Sequence, residues 1–186
     1  MAQKGQTSKQ KAKPLKNSVK TLDQESLNRL ALRYVERYAT SRKKLAGYLQ
    51  RKIREREWID SSPPAVEQLV EQIAGLGYVD DASYAQSKAA SLTRRGYGTR
   101  RVAQALYQAG IDEADGREAF RISETNKWAA ADKFARKRRL GPYASTQLDS
   151  DECRKLLQAF LRAGHDFDVA SRFVFARPGE EIAQED

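Results

Sequence analysis

The chain has 186 residues, enough for one ordinary domain or a row of small helical modules. With 40% apolar and 32% charged residues, it has material for a thin core under a large surface, which suits an elongated array better than one compact globule. The net charge of +9 points to polyanionic partners (nucleic acid, nucleoprotein or an acidic protein face), with solubility alone as the plainer reading, and the single cysteine, Cys153, excludes an internal disulfide.

Residues 1–22 carry six lysines in their first twenty positions and no acid before the segment ends. They are expected to form a disordered basic tail. No apolar h-region follows, so the tail is not read as a secretory signal. No apolar run approaches the ~20 residues a membrane span needs. The expectation is a cytoplasmic protein.

From there the periodicity predicts helices only, with no period-two strand and no hairpin turn. Leu27, Leu30, Ala31, Tyr34, Val35 and Tyr38 form the first stripe. Ser41 is placed to cap a second helix carrying Leu45, Tyr48, Leu49 and Ile53. Ser62-Pro63-Pro64 is expected to start a third, with Val66, Leu69, Val70 and Ile73 on its face and Gly77 at its end. Asp80 or Asp81 caps the fourth, which carries Tyr84, Ala85, Lys88, Ala89 and Leu92 and stops at Gly96.

Val102, Ala105, Leu106 and Ala109 mark a fifth helix closed by Gly110, and Asp112 caps a sixth through Ala119. Trp128, Ala131, Phe134 and Ala135 mark a seventh, ended by Gly141-Pro142. Cys153, Leu156, Leu157, Phe160 and Leu161 make an eighth stripe closed by Gly164, with Cys153 as a small buried hydrophobe. Asp166 caps the last, with Val169, Ala170, Phe173 and Val174.

An internal repeat orders these elements. "QALYQAGID" at 104–112 matches "QAFLRAGHD" at 158–166, an offset of 54. At an offset of 57, Lys44-Leu45 falls on Arg101-Val102, Leu49 on Leu106 and Arg37 on Arg94. Arg138-Arg139 ends a helix as Arg94-Arg95 does. The fold expected is all-α, a tandem array of three three-helix repeats at 23–79, 80–123 and 124–177. The basic tail precedes it and a short acidic tail, 178–186, follows.

No catalytic constellation emerges. His165, the only histidine, follows a helix-ending glycine and reads as a surface or capping residue. One Cys and one His cannot build a zinc site of usual composition. Asp80-Asp81 fits N-capping better than metal ligation. Trp58 and Trp128 fit burial between helices better than base stacking. A non-enzyme without cofactor or metal is expected, and most simply a monomer. "ALYQAGI" has the outline of a DNA-reading helix-turn-helix, but the same turn recurs at Gly164, which a stacked repeat explains.

The stretch "RRGYGTRRV", 94–102, holds two arginine pairs around two glycines. It lacks the Gly-Lys-Ser/Thr ending of a phosphate-binding Walker loop, and reads as a connector between helices. Gly96 and Gly98 are expected there for their tolerance of positive φ. The arginines are either a docking edge or a solvated basic surface. The candidate partner-binding residues are Lys43, Lys44, Arg94, Arg95, Arg100, Arg101, Arg138 and Arg139.

Over 76–112 the chain resembles the RecX family of bacterial recombinase regulators. The resemblance lies in Gly77-Tyr78-Val79-Asp80-Asp81, Tyr84-Ala85, Arg94-Arg95, Gly96-Tyr97-Gly98, Arg100-Arg101, Ala105-Leu106 and Gly110-Ile111. It extends over about 27–175 and weakens in the third repeat. The family often has a glycine after the second helix of the first repeat. "RKIREREW" has none, so that helix is expected to run longer. The resemblance implies a modulator, usually an inhibitor, of the ATPase and strand exchange of RecA, lying in the groove of the RecA–DNA filament. The alternative is a general DNA-binding protein, single- or double-stranded, that grips phosphate alone. Both readings use the same arginines.

Overall fold

The computed structural model describes residues 21–183. The expectations for 1–20 and for the last three residues of the acidic tail lie outside the described residues. Nine helices run through the described chain: α1 (Gln24–Arg37), α2 (Arg42–Arg54), α3 (Val66–Gly75), α4 (Asp81–Arg94), α5 (Thr99–Ala109), α6 (Glu113–Thr125), α7 (Lys127–Arg138), α8 (Ser150–Ala163) and α9 (Phe167–Val174). A short 3-10 turn, Gly141–Tyr143, follows α7.

Three of the predicted caps form where a side-chain oxygen meets a free helical N–H, while Asp166 stands at the N-cap of α9 without a side-chain cap bond and pairs with Arg100 instead. Ser41 accepts from the Lys44 amide, Asp80 from Ser83 and Asp112 from Asp115. Asp80, not Asp81, is therefore the cap of α4. Asp23 accepts from Ser26 at the start of α1, which makes α1 and α4 equivalents down to their caps at the 57-residue offset. Gly110 and Gly164 close α5 and α8 in the left-handed conformation, at φ 76° and 91°.

Three local expectations need correction. The chain is not helical alone: Thr21–Leu22 (β1) pairs in parallel with Glu57–Trp58 (β2). Leu22, assigned by composition to the basic tail, is 1% exposed and belongs to the first core. Two residues are too short for an alternating pattern to reveal them. Ser62-Pro63-Pro64 also precedes α3 rather than starting it, since the helix begins at Val66 after Ala65. A residue followed by proline is driven towards extended backbone, which holds Ser62 and Pro63 out of the helix.

The apolar stripes close into three separate cores, each within one run of three helices. The first gathers Leu22, Leu27, Leu45, Leu49, Leu69 and Ile73. The second gathers Ala85, Ala89, Val102, Leu106 and Ala119. The third centres on Phe134, Phe160 and Phe173, with Cys153 buried beside them as expected.

The repeats are joined through their second helices. The start of α2 meets the end of α5: the Ser41 hydroxyl donates to the Ala109 carbonyl at 2.6 Å. The Arg42 amide donates to buried Asp81 at 2.9 Å, and the Lys43 stem lies against Gly110. The start of α5 meets the end of α8 in the same way. There the Gly98 amide donates to the Ala163 carbonyl at 3.1 Å and the Arg100 amide to the Gly164 carbonyl at 3.0 Å. Ser41 and Gly98 are repeat equivalents, as are Ala109 and Ala163. One junction is bridged by a hydroxyl, the other by the backbone itself. Each junction also sets the positive end of one helix dipole against the negative end of the next.

His165 lies inside the second junction. It is 2% exposed, so the surface role expected from the sequence is wrong. Its Nε2 is 3.2 Å from the Gly96 carbonyl, and its ring packs against Phe134 and Phe160 at 5.3 Å each. Burial holds its pKa down at about 4, against the smaller opposing effects of the Gly96 carbonyl and Asp166. The neutral ring therefore donates Nε2–H to Gly96. A base with a depressed folded pKa contributes stability that is present above about pH 6.5 and is lost as pH falls towards 4. The loss amounts to roughly 3 kcal/mol at one shift unit per 1.36 kcal/mol. Urea titrations of the parent and of His165→Gln, which keeps a donor, should diverge over this window, the parent losing more. Parallel pH profiles would remove the histidine from the junction's energetics.

Candidate interaction surface

A groove of about 280 Å³ runs between α4 and α5 and reaches the start of α2. Lys88 and Arg95 line it from the α4 side, Arg101 from α5 and Lys44 from α2, with Tyr97, Gln104 and Gln108 between them. These four cations have no carboxylate within 4.0 Å among the described residues, because every ion pair there involves other side chains. Arg95 and Arg101 flank the Tyr97 ring at 5.3 and 5.9 Å, and Lys44 lies 5.3 Å from the Tyr84 ring. The aromatic faces hold the cations in place without neutralising them.

The eight basic candidates are not equivalent in space. Successive helical residues point about 100° apart, so each basic pair divides. Lys44 enters the groove, while Lys43 turns to Gly110 and Tyr107. Arg101 enters, while Arg100 pairs with Asp166 across the junction at 3.1 Å. Arg95 enters, while Arg94 stands exposed at the end of α4. Arg138 lies over the Phe134 ring at 4.6 Å, and Arg139 takes a left-handed conformation at φ 55°, away from this groove. Lys88, Tyr97, Gln104 and Gln108 were missed as site residues. The signal was there: Lys88, Leu92 and Arg95 follow i, i+4, i+7 on α4.

The two glycines of the connector have different duties. Gly96 has φ 84°, as a turn requires. Gly98 has φ −79° and is needed for close approach, since a Cβ there would lie 2.2 Å from the Gly164 carbonyl oxygen.

The groove's α5 edge repeats along the array. Arg101, Ala105 and Gln108 correspond to Lys44, Tyr48 and Arg51 on α2 and to Lys155, Ala159 and Arg162 on α8. In each triplet the outer two residues are exposed and the middle one half-buried. No acid occupies any of these positions. Three equivalent helices, joined end to end, thus each begin the triplet with a cation, Lys44, Arg101 or Lys155, while Arg51 at the end of the first triplet pairs with Glu55 at 3.7 Å.

No group of three or more potential metal ligands exists among the described residues, and no helix there is long and apolar enough to cross a membrane. Comparison with known proteins agrees with the repeat architecture. Residues 80–119 match the second three-helix domain of RecX. The regulatory protein RecX of Myxococcus xanthus is 32% identical over 160 residues, covering 82% of this chain and 86% of its own. That of Agrobacterium fabrum is 33% identical over 155 residues, covering 81% and 82%. The crystal structure of RecX from Lactobacillus salivarius superposes with a TM-score of 0.55 at 17% identity, over 78% of this chain and 90% of that one.

Proposed function

The chain belongs to the RecX family of regulatory proteins, and from that premise we propose that it binds the RecA–DNA filament and restrains its ATP hydrolysis and strand exchange in recombination and repair. The observation that carries this reading is the cation repeated at Lys44, Arg101 and Lys155 on α2, α5 and α8, none of which has a carboxylate within 4.0 Å among the described residues. A filament groove offers regularly spaced negative charge. A row of equivalent cations meets it at several points, and the long-range field steers the encounter. The groove of Lys44, Lys88, Arg95 and Arg101 is the docking centre, and Arg100 serves the protein's own junction. The monomer, acting in the cytoplasm without cofactor, is the working form.

The test is ATP hydrolysis by RecA on single-stranded DNA, with the parent and with Lys44, Lys88, Arg95 and Arg101 all replaced by alanine. Lys44, Arg95 and Arg101 are exposed and Lys88 is half-buried; substitutions at exposed positions change stability by about 0.5 kcal/mol or less each, so the variant should remain folded, which its circular dichroism checks. The parent should suppress hydrolysis, and the variant should need at least about tenfold more protein, which is 1.4 kcal/mol of lost binding. Lys43→Ala with Arg94→Ala should behave as the parent. Full suppression by the folded groove variant would remove the groove from docking. No suppression by the parent would remove the filament reading and favour a general phosphate binder, whose DNA affinity falls with salt by about 0.7 in log–log slope per single-strand contact.

A further inference from the structure

The third repeat holds a pocket whose charge runs against the chain's net +9. The segment after α9 folds back over the repeat as a strap. The Gly179 amide donates to the Pro142 carbonyl at 2.9 Å, the Arg177 amide donates to the Glu180 carboxylate at 2.7 Å, and Ile182 packs on the third core. Beneath the strap lies a cavity of about 370 Å³. Trp128, Tyr143 and Phe173 give it aromatic walls, and Asp132, Glu180 and Glu181 give it charge, with no lysine or arginine among the described residues that line it. The Trp128 and Phe173 rings meet at 6.5 Å, tilted by 40°. The three acids differ. Asp132 accepts from the Tyr143 hydroxyl and pairs with Arg136 at 3.1 Å. Glu180 and Glu181 have no ion pair among the described residues. Trp128 and Glu180 also line an adjoining cavity of about 540 Å³, together with Asp168, Ser171, Arg172 and Phe175. The Ser171 hydroxyl is buried there with no hydrogen-bond partner among the described residues.

Core packing accounts for Phe173 and Ile182, but not for two carboxylates held beside them. The repeat does not demand the pocket either. Tyr143 lies in the connector 139–149, which is longer than its counterpart 95–98, and the strap follows the last repeat helix. Phe173 corresponds to Ala119 at the 54-residue offset. The pocket is therefore a property of the third repeat alone.

We propose that this pocket binds an aliphatic ammonium, carried by a free polyamine or by a lysine side chain. Aromatic faces attract the cation and cover its methylenes, and carboxylates accept its N–H donors. The volume suits a small ligand. A polyamine can place a second ammonium around Trp128, against Asp168 and the Ser171 hydroxyl, which a single lysine cannot. The lysine source within the chain is residues 1–20, with six lysines and no acid. The assignment stands apart from the filament reading, because it needs neither RecA nor DNA.

The emission of Trp128 tests it, in the full chain carrying Trp58→Phe at physiological salt, titrated with spermidine. Magnesium chloride matches the charge without methylenes, and 1,5-pentanediol matches the methylenes without charge. Spermidine should shift the emission to saturation, and the other two should not. Glu180→Gln with Glu181→Gln should weaken spermidine binding about tenfold, the worth of one charge-assisted contact, and leave the thermal melt unchanged. Asp151→Asn, at an exposed acid on α8, should bind as the parent. Replacing all six lysines of residues 1–20 with glutamine separates the sources. A changed resting emission with tighter spermidine binding identifies a tail lysine as the occupant, and no change in either identifies the free polyamine. Absence of a saturable response in both the parent and the tail variant would overturn the proposal. So would an equal response to magnesium or pentanediol, or parent-like binding by the double glutamine variant.

Discussion

Gly98→Ala detaches the third repeat from the second. The added Cβ would lie 2.2 Å from the Gly164 oxygen, 2.3 Å from its carbonyl carbon and 2.4 Å from the His165 nitrogen. All three are backbone atoms, so no side chain can swing aside. The junction must open, and the Gly98 and Arg100 amides lose their carbonyl partners. Two hydrogen bonds lost at a closed interface, with the steric clash, cost about 3 kcal/mol or more. Trp58 and Trp128 report the first and third repeats separately once each is studied with the other replaced by phenylalanine. In the variant, the Trp128 transition should move to lower urea further than the Trp58 transition. Gly47→Ala is the contrast: nothing lies within 4 Å of its added Cβ on exposed α2, so it should be neutral or stabilising by up to about 1 kcal/mol. Coincident, unshifted transitions in Gly98→Ala would show that the junction tolerates separation.

Leu106→Asp and Phe160→Asp should each unfold the repeat that contains them. Both side chains are 0% exposed. Phe160 packs against Phe134 at 4.6 Å, Phe173 at 6.0 Å and the His165 ring at 5.3 Å. An unpaired buried charge costs several kcal/mol, comparable with the whole stability of a small module. Loss of far-ultraviolet circular dichroism, larger than the noise of a single turn, is the readout. A parent-like melt for either variant would mean that the stripe is not the core.

The helices and their caps were legible because they depend on neighbours in sequence. Ser41, Asp80, Asp112, Gly110 and Gly164 act within four residues of themselves, and the apolar stripes repeat every turn. The expected extension of α2 is also present: it ends at Arg54, two residues beyond Lys52, which corresponds to Ala109. What depends on distant partners was not legible. Ser41 reads as a cap, yet its hydroxyl also reaches a carbonyl 68 positions away. Asp81 reads as a spare cap, yet it is buried against the start of α2. His165 looks exposed after a helix-ending glycine because the connector that covers it lies 69 positions earlier. The basic pairs were found as charge and misread as units. A string of letters does not show that Arg100 and Arg101 leave the helix in different directions.

The end-to-end docking of the second helices makes the repeat a unit of length. A copy of the middle repeat inserted after itself would set the start of one α5 against the end of another, Gly98 facing Ala109 and Gly110. Those are the surfaces that already meet across the existing junctions, so the array could lengthen without inventing an interface. It is closed at its outer ends. There α2 overruns its docking point into β2, and α8 begins three residues before the position matching Thr99, sealed by the reciprocal Asp149–Glu152 cap. Growth by duplication is thus confined to the interior, and a longer relative built this way would gain its extra reach one whole repeat at a time.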